Sequence, residues 1–199
     1  MAKIKTFGYD LDLEYAPLEN MGDEEFFRFC EQNKHIPIER DENHQILFIP
    51  PIASEFSIKN IDLTTDLNIW NRKLKTGLAF ESSAGFFLPD TSMRSPDAAW
   101  ISNERWNALT EDQRKGFAYL VPDFVVELAS PSDSITQLKL KMEKYRNIGV
   151  KLGWLIDPKT ETVFIYRIDG TVSKVEGFDH TLSGEDVLPG FEFGLAVLR

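Results

Sequence analysis

The alternation of apolar and polar positions divides the chain into short strands and a few helices. "GDEEFFRFCEQN", residues 22–33, predicts a short helix with acids in its first turn. "IPIERDENHQILFIPP", residues 36–51, reads as two strands around a polar turn, closed by Pro50 and Pro51. In residues 54–77 the apolar positions 58, 61, 67, 70 and 74 suit one face of a long helix, with Gly77 as its stop. "LAFESS" and "GFFLP" read as strands around a small-residue turn, and "SPDAAWIS", residues 95–102, as another strand. A polar helical stretch, "NERWNALTEDQRKG", follows. Residues 123–130 form a strongly apolar strand, and the segment from Ser132 to Gly149 a helix with the stripe Ile135, Leu138, Met142 and Tyr145. Ser132, Asp133 or Ser134 can cap that helix. "GWLIDP" and "TVFIYR" flank a turn at Asp157 to Glu161. The first twenty residues read as an irregular arm, and residues 183–198 carry no clear pattern. Strands alternating with helices, with recurrent hairpins, imply one α/β domain over residues 21–199: a mixed β-sheet flanked by α-helices.

Composition narrows the setting. A chain of 199 residues, 42% of them apolar, can bury a core without disulfide or metal staples. Cys30 is the single cysteine, so neither an intramolecular disulfide nor a cysteine-based zinc site can form. It lies in the aromatic helix face "FFRFC" and reads as core rather than nucleophile. The single cysteine fits a reducing cytoplasm, the expected location, and no apolar run is long enough for a membrane span. Net charge is −10, which opposes nucleic-acid binding through bulk charge and leaves room for a local basic or metal-neutralised cleft.

One position is anomalous. In residues 123–130, Phe124, Val126 and Leu128 share one face, while Val125, Glu127 and Ala129 share the other. A carboxylate inside such a strand costs several kcal/mol unless it is paired or used. A structural ion pair is the ordinary explanation for an isolated buried glutamate. Asp97, after Ser95-Pro96 and at the start of the strand "DAAWI", offers a second acid. Two carboxylates at facing ends of adjacent strands suit Mg²⁺, a hard ion that takes oxygen ligands. Lys141 borders the apolar stripe of the following helix and would reach toward Glu127; Lys139 borders it on the other side, and periodicity does not choose between them.

Other chemistries are weak. His35, His44 and His180 are scattered, and no G-x-S-x-G, P-loop or G-x-G-x-x-G occurs. Trp70, Trp100, Trp106 and Trp154 could stack on bases, but apolar packing is the stronger explanation for tryptophans embedded in strands and helices. A Glu81–Glu127 glycosidase pair ranks low, since nothing fixes its separation.

A proline-aspartate, a gap of thirty residues and a glutamate in an apolar strand resemble the PD-(D/E)xK nuclease motif. The lysine of that motif belongs two positions after the glutamate, where this chain has Ala129. The run "SPDAAWIS … PDFVVELASPSDS … KMEKYRNIGVKLGWLIDP … VFIYR" is similar to the Uma-two family of restriction-endonuclease-like proteins, its cyanobacterial branch above all. The resemblance implies the restriction-endonuclease-like fold and a metal-dependent DNA endonuclease using Mg²⁺ or Mn²⁺. It implies Asp97 and Glu127 as metal-binding acids and Lys141 as the catalytic lysine moved from strand to helix, with Tyr145 the aromatic residue after it. The Leu128 carbonyl would add a metal ligand, Glu55 an extra acid, and Glu39 an acid from the first strand. Gln137, where many members have aspartate, and Ser54-Glu55, where many have a histidine-containing segment, depart from the pattern. The fold often works as a homodimer, so DNA and a second copy are the expected partners. The alternative is a catalytically degenerate relative acting as a nucleic-acid or protein interaction module.

Overall fold

The computed structural model describes residues 2–6, 9–13 and 21–199. In chain order the elements are β1 (Ala2–Thr6), β2 (Tyr9–Leu13), α1 (Asp23–Gln32), β3 (Ile38–Arg40), β4 (Ile46–Phe48), α2 (Ser54–Leu74), β5 (Gly77–Glu81), β6 (Phe86–Phe87), β7 (Met93–Arg94) and β8 (Ala98–Ser102). There follow α3 (Asn103–Ala108), α4 (Glu111–Arg114), β9 (Phe124–Leu128), α5 (Ile135–Asn147), β10 (Leu152–Asp157), β11 (Thr162–Arg167), β12 (Val172–Glu176), β13 (Thr181–Ser183), β14 (Glu192–Gly194) and a closing 3₁₀ turn, Leu195–Leu198.

A six-stranded sheet in the order β12-β11-β10-β9-β8-β5 is the centre of the fold. Only β9 and β10 run parallel, joined through α5; every other neighbour pair is antiparallel. Parallel neighbours need a long crossover, and α5 supplies it. The two faces of β9 divide as its alternation predicts. Phe124, Val126 and Leu128 join Trp100, Trp154 and the inner face of α2, together with the C-terminal hairpin β13–β14. Val125 faces Met142 and Tyr145 of α5. A smaller sheet, β4-β3-β7-β6, packs with α1 around Phe26, Phe29 and Phe87.

The structure corrects several expectations. Residues 2–6 and 9–13 are paired strands rather than irregular chain, while residues 1, 7–8 and 14–20 lie outside the described residues. α2 buries Phe56, Leu63, Leu67 and Trp70, and leaves Ile58, Ile61 and Leu74 exposed. Its apolar residues lie on two faces, and the sheet selects the one that fits Trp100 and Phe191. The helix ends at Lys75 in left-handed conformation, not at Gly77. Gly77 instead opens β5 where a side chain would not fit: a Cβ would come within 2.2 Å of the Ile101 carbonyl oxygen. The polar stretch after β8 breaks into two short helices, the second opened by a capping box between Thr110 and Gln113. No described helix is long and apolar enough to cross a membrane.

Candidate active site

The site forms where the two sheets meet. β8 and β9 pair with Ala98 opposite Val126, so one further step places Asp97 beside Glu127. The backbone N–H of Leu128 donates to Asp97 Oδ2 at 2.7 Å, fixing the aspartate against the neighbouring strand. The same short segment, Ser95 to Asp97, leads back into β7. There Arg94 lies in register with Glu39 of β3, one step from the Arg40–Met93 pair. Strand pairing alone therefore brings Asp97, Glu127, Glu39 and Arg94 into one neighbourhood.

Helix α5 delivers the remaining groups. Ser134 caps it by accepting from the Gln137 N–H, and Met142 and Tyr145 anchor it on the sheet. Lys141, one residue before Met142, places Nζ 2.9 Å from Glu127 Oε1 and 3.2 Å from Glu39 Oε1. The Tyr145 hydroxyl donates to Glu127 Oε1 at 3.0 Å. Lys139 turns away and sits over the Phe164 ring, 3.9 Å from its centroid. The choice periodicity left open thus falls on Lys141, whose ammonium reaches Glu127 at the C-terminal end of β9.

Glu39 is held more tightly than its strand position announced. Arg94 Nη1 donates to its Oε2 at 3.0 Å, and the Ser95 N–H to its Oε1 at 3.0 Å. Arg94 also approaches Glu42, which pairs with Lys144. Charges of opposite sign thus alternate from Lys144 through Glu42, Arg94, Glu39 and Lys141 to Glu127. With Asp97 the cluster has three cations and four carboxylates, one negative charge in excess when all four carboxylates are ionised. Asp97 is its one carboxylate with no side-chain ion pair among the described residues. Nothing in the sequence marked Arg94. Its signal was its register with Glu39, visible only once β3 and β7 are known to pair.

Burial sets the electrostatics. It pushes the Glu127 carboxyl up to about 7, with Lys141 opposing the shift and Asp97 and Glu39 adding to it. Burial raises Asp97 to about 6, against the Leu128 N–H and Lys141; the charges of Asp133 and Glu39 add to the rise. Burial works against charge on Glu39 too, but Lys141 and Arg94 outweigh it and hold that carboxyl below its usual range. For Lys141, burial is overcome by Glu127 and Glu39, so the ammonium stays protonated. Two acids that resist ionisation therefore stand beside a lysine that keeps its proton.

Some expected groups stand elsewhere. Glu55 is exposed in the first turn of α2 and shares no hydrogen bond or ion pair with the cluster. Among the described residues no group of three or more His, Cys, Asp or Glu side chains is arranged to hold a metal ion. Cys30 is half-buried beside the α1 cluster, and burial pushes its thiol up to about 12, as suits packing rather than nucleophilic attack. Two cavities, of about 420 and 220 Å³, lie apart from the acids. The first is bounded by Arg146 and Asp169, the second by Phe80, Trp106 and Phe117.

Comparison with known proteins bears on this geometry. No curated protein matches the chain. A crystal structure of "a putative nuclease belonging to DUF820" from Anabaena variabilis superposes with a TM-score of 0.69 at 21% identity, covering 85% of this chain and 96% of that one. At that identity the likeness shows a shared fold: a mixed sheet with flanking helices. The sequence model of the Uma2 family, described as "Putative restriction endonuclease", matches residues 23–197. That span includes every element of the cluster, and the chain belongs to the Uma2 family.

Proposed function

We propose that this protein is a divalent-metal-dependent endonuclease that hydrolyses DNA phosphodiester bonds at Asp97, Glu127 and Lys141. One observation carries the reading: two buried carboxylates from paired strands converge with a lysine ammonium that arrives from a helix. The donor set fits Mg²⁺ or Mn²⁺, since both acids offer hard oxygens and the cluster has one negative charge in excess. The contacts of Asp97 use Oδ2 and those of Glu127 use Oε1, so Oδ1 and Oε2 make no hydrogen bond among the described residues. Asp97 and Glu127 would hold the ion, with the Leu128 carbonyl as a further oxygen. When bound, the ion supplies Lewis acidity to the phosphoryl group and makes a water more acidic.

The chain's own residues do the rest. The Leu128 N–H holds Asp97 in place, and Tyr145 and Lys141 hold Glu127. Lys141 keeps its proton, so it acts as a fixed positive charge toward a developing phosphorane and orients the attacking water, rather than serving as a base. Glu39, clamped by Arg94, keeps the ammonium from swinging away when Glu127 turns to other partners. A homodimer would present two such sites to two strands, and a single half-buried thiol suits a reducing cytoplasm.

The degenerate-module reading draws on one observation: Lys141 already closes an ion pair with Glu127, so the buried glutamate has a structural partner within the chain. Plasmid nicking with Mg²⁺ or Mn²⁺ separates the two. The nuclease reading expects cleavage by the wild type, lost in Asp97→Ala and in Lys141→Ala. Cleavage that survives both substitutions assigns the activity elsewhere; no cleavage of duplex, branched or single-stranded DNA favours the module.

A further inference from the structure

Helix α2 carries a second apolar stripe that the fold does not use. Ile58, Ile61 and Ile69 are 60%, 60% and 47% exposed, and with exposed Thr65 they follow one another at spacings of 3, 4 and 4 on the face opposite Phe56, Leu63 and Leu67. A surface helix normally turns polar residues outward, and β-branched isoleucines gain nothing from exposure there. We infer that this face is where a second copy of the chain docks, α2 against α2, antiparallel about a twofold axis.

Charge at the two ends of the helix favours that occupant and that direction, while Asp62 and Asp66 flank the stripe near its middle, where water screens them. Glu55 lies in the first turn and Arg72 and Lys73 in the last, all three exposed. Glu55 and Arg72 make no ion pair among the described residues. In an antiparallel pair centred midway between Ile58 and Ile69, Ile58 of one copy meets Ile69 of the other. Glu55 then lies beside Arg72 of the second copy, and the two contacts repeat by symmetry. Parallel pairing would set Glu55 on Glu55 and Arg72 on Arg72 and align the helix dipoles, so it is disfavoured. The basic end of α2 also offsets the repulsion between two chains of net charge −10. One helix face is smaller than the roughly 800 Å² per partner of a stable dimer, so the association is reversible and set by concentration.

This inference gives a surface to the dimer of the proposed function and rests on none of its chemistry. The test reads mass, not hydrolysis, so either can fail without the other. Sedimentation equilibrium of the full chain is expected to show a monomer–dimer equilibrium. Ile61→Asp is expected to weaken it by about tenfold or more, because the twofold places an aspartate from each copy in the seam. Glu55→Lys and Arg72→Glu each weaken it, and the double variant Glu55→Lys/Arg72→Glu restores it, because each swapped charge meets its swapped partner. Far-UV circular dichroism keeps its wild-type shape, since all three residues are exposed, and the melting temperature falls only by the few degrees that a reversed charge at a helix end and a weakened association account for. A wild type that stays monomeric at every concentration overturns the inference, whether residues 1–20 or a different protein cover the face. A dimer indifferent to Ile61→Asp, or a double variant no stronger than the single ones, overturns it as well.

Discussion

Replacing Lys141 with methionine keeps the stem and removes the charge, so it isolates what the ammonium does for Glu127 and Glu39. Nζ stands 2.9 Å from one carboxylate and 3.2 Å from the other. At an effective dielectric of about 20 these attractions are gross energies of about 6 and about 5 kcal/mol. Several kcal/mol of lysine desolvation offset them, and a broken buried pair typically costs a net of about 3–5 kcal/mol. The cost depends on pH because Glu127 has an escape. Its carboxyl is raised from 4.5 to about 7 in the folded protein. A carboxyl raised in this way favours the fold while protonated, and that contribution is lost as pH rises through about 7. Near pH 5.5 Glu127 is mostly protonated with or without the lysine, so the loss falls chiefly on Glu39. Near pH 8 the wild-type carboxylate is ionised and held by Lys141, while the variant must protonate it or leave it bare. Thermal unfolding in EDTA should therefore show Lys141→Met melting roughly 6–20 °C below wild type near pH 8, from the usual scaling for a domain of this size. The gap should narrow near pH 5.5. Equal melting temperatures at both pH values, or a gap that does not change with pH, would refute the claim that Lys141 is what makes the buried acids tolerable.

Three more outcomes follow from the same geometry. Asp97, raised from 3.8 to about 6, weakens the fold as pH rises through about 6, so Asp97→Asn should melt no lower than wild type above that pH while losing Mn²⁺ binding by calorimetry. Tyr145→Phe removes the hydroxyl that donates to Glu127 Oε1 at 3.0 Å and should cost about 1.5–3 kcal/mol in urea unfolding, as expected for a hydrogen bond to a charged group. Gly77→Ala drives a Cβ to 2.2 Å from the Ile101 carbonyl oxygen and 2.4 Å from the Trp100 ring, so overpacking should lower stability by about 1–3 kcal/mol; an unchanged urea midpoint would show that β5 can shift away.

Periodicity, which is local, was enough for much of this protein. The two-faced alternation of β9 marked Glu127 as out of place before any neighbour was known, and the stripe through Met142 and Tyr145 set which side of α5 meets the sheet. Pro96 ahead of Asp97 marked the start of β8 in the same way. Where two local solutions were equal, the sequence could not decide. α2 has apolar residues on both faces, and only the shape of the sheet beneath it buries Leu63 and exposes Ile61. Lys139 and Lys141 flank one stripe symmetrically, and only the position of α5 over β9 sends one to Glu127 and the other to Phe164. Glu39 meets Lys141 across 102 residues of chain, and Arg94 meets Glu39 across 55, through pairings that no short-range pattern encodes. Charge acts through space between groups that the chain keeps far apart, so the sequence determined which residues could do chemistry, and tertiary packing decided which of them meet.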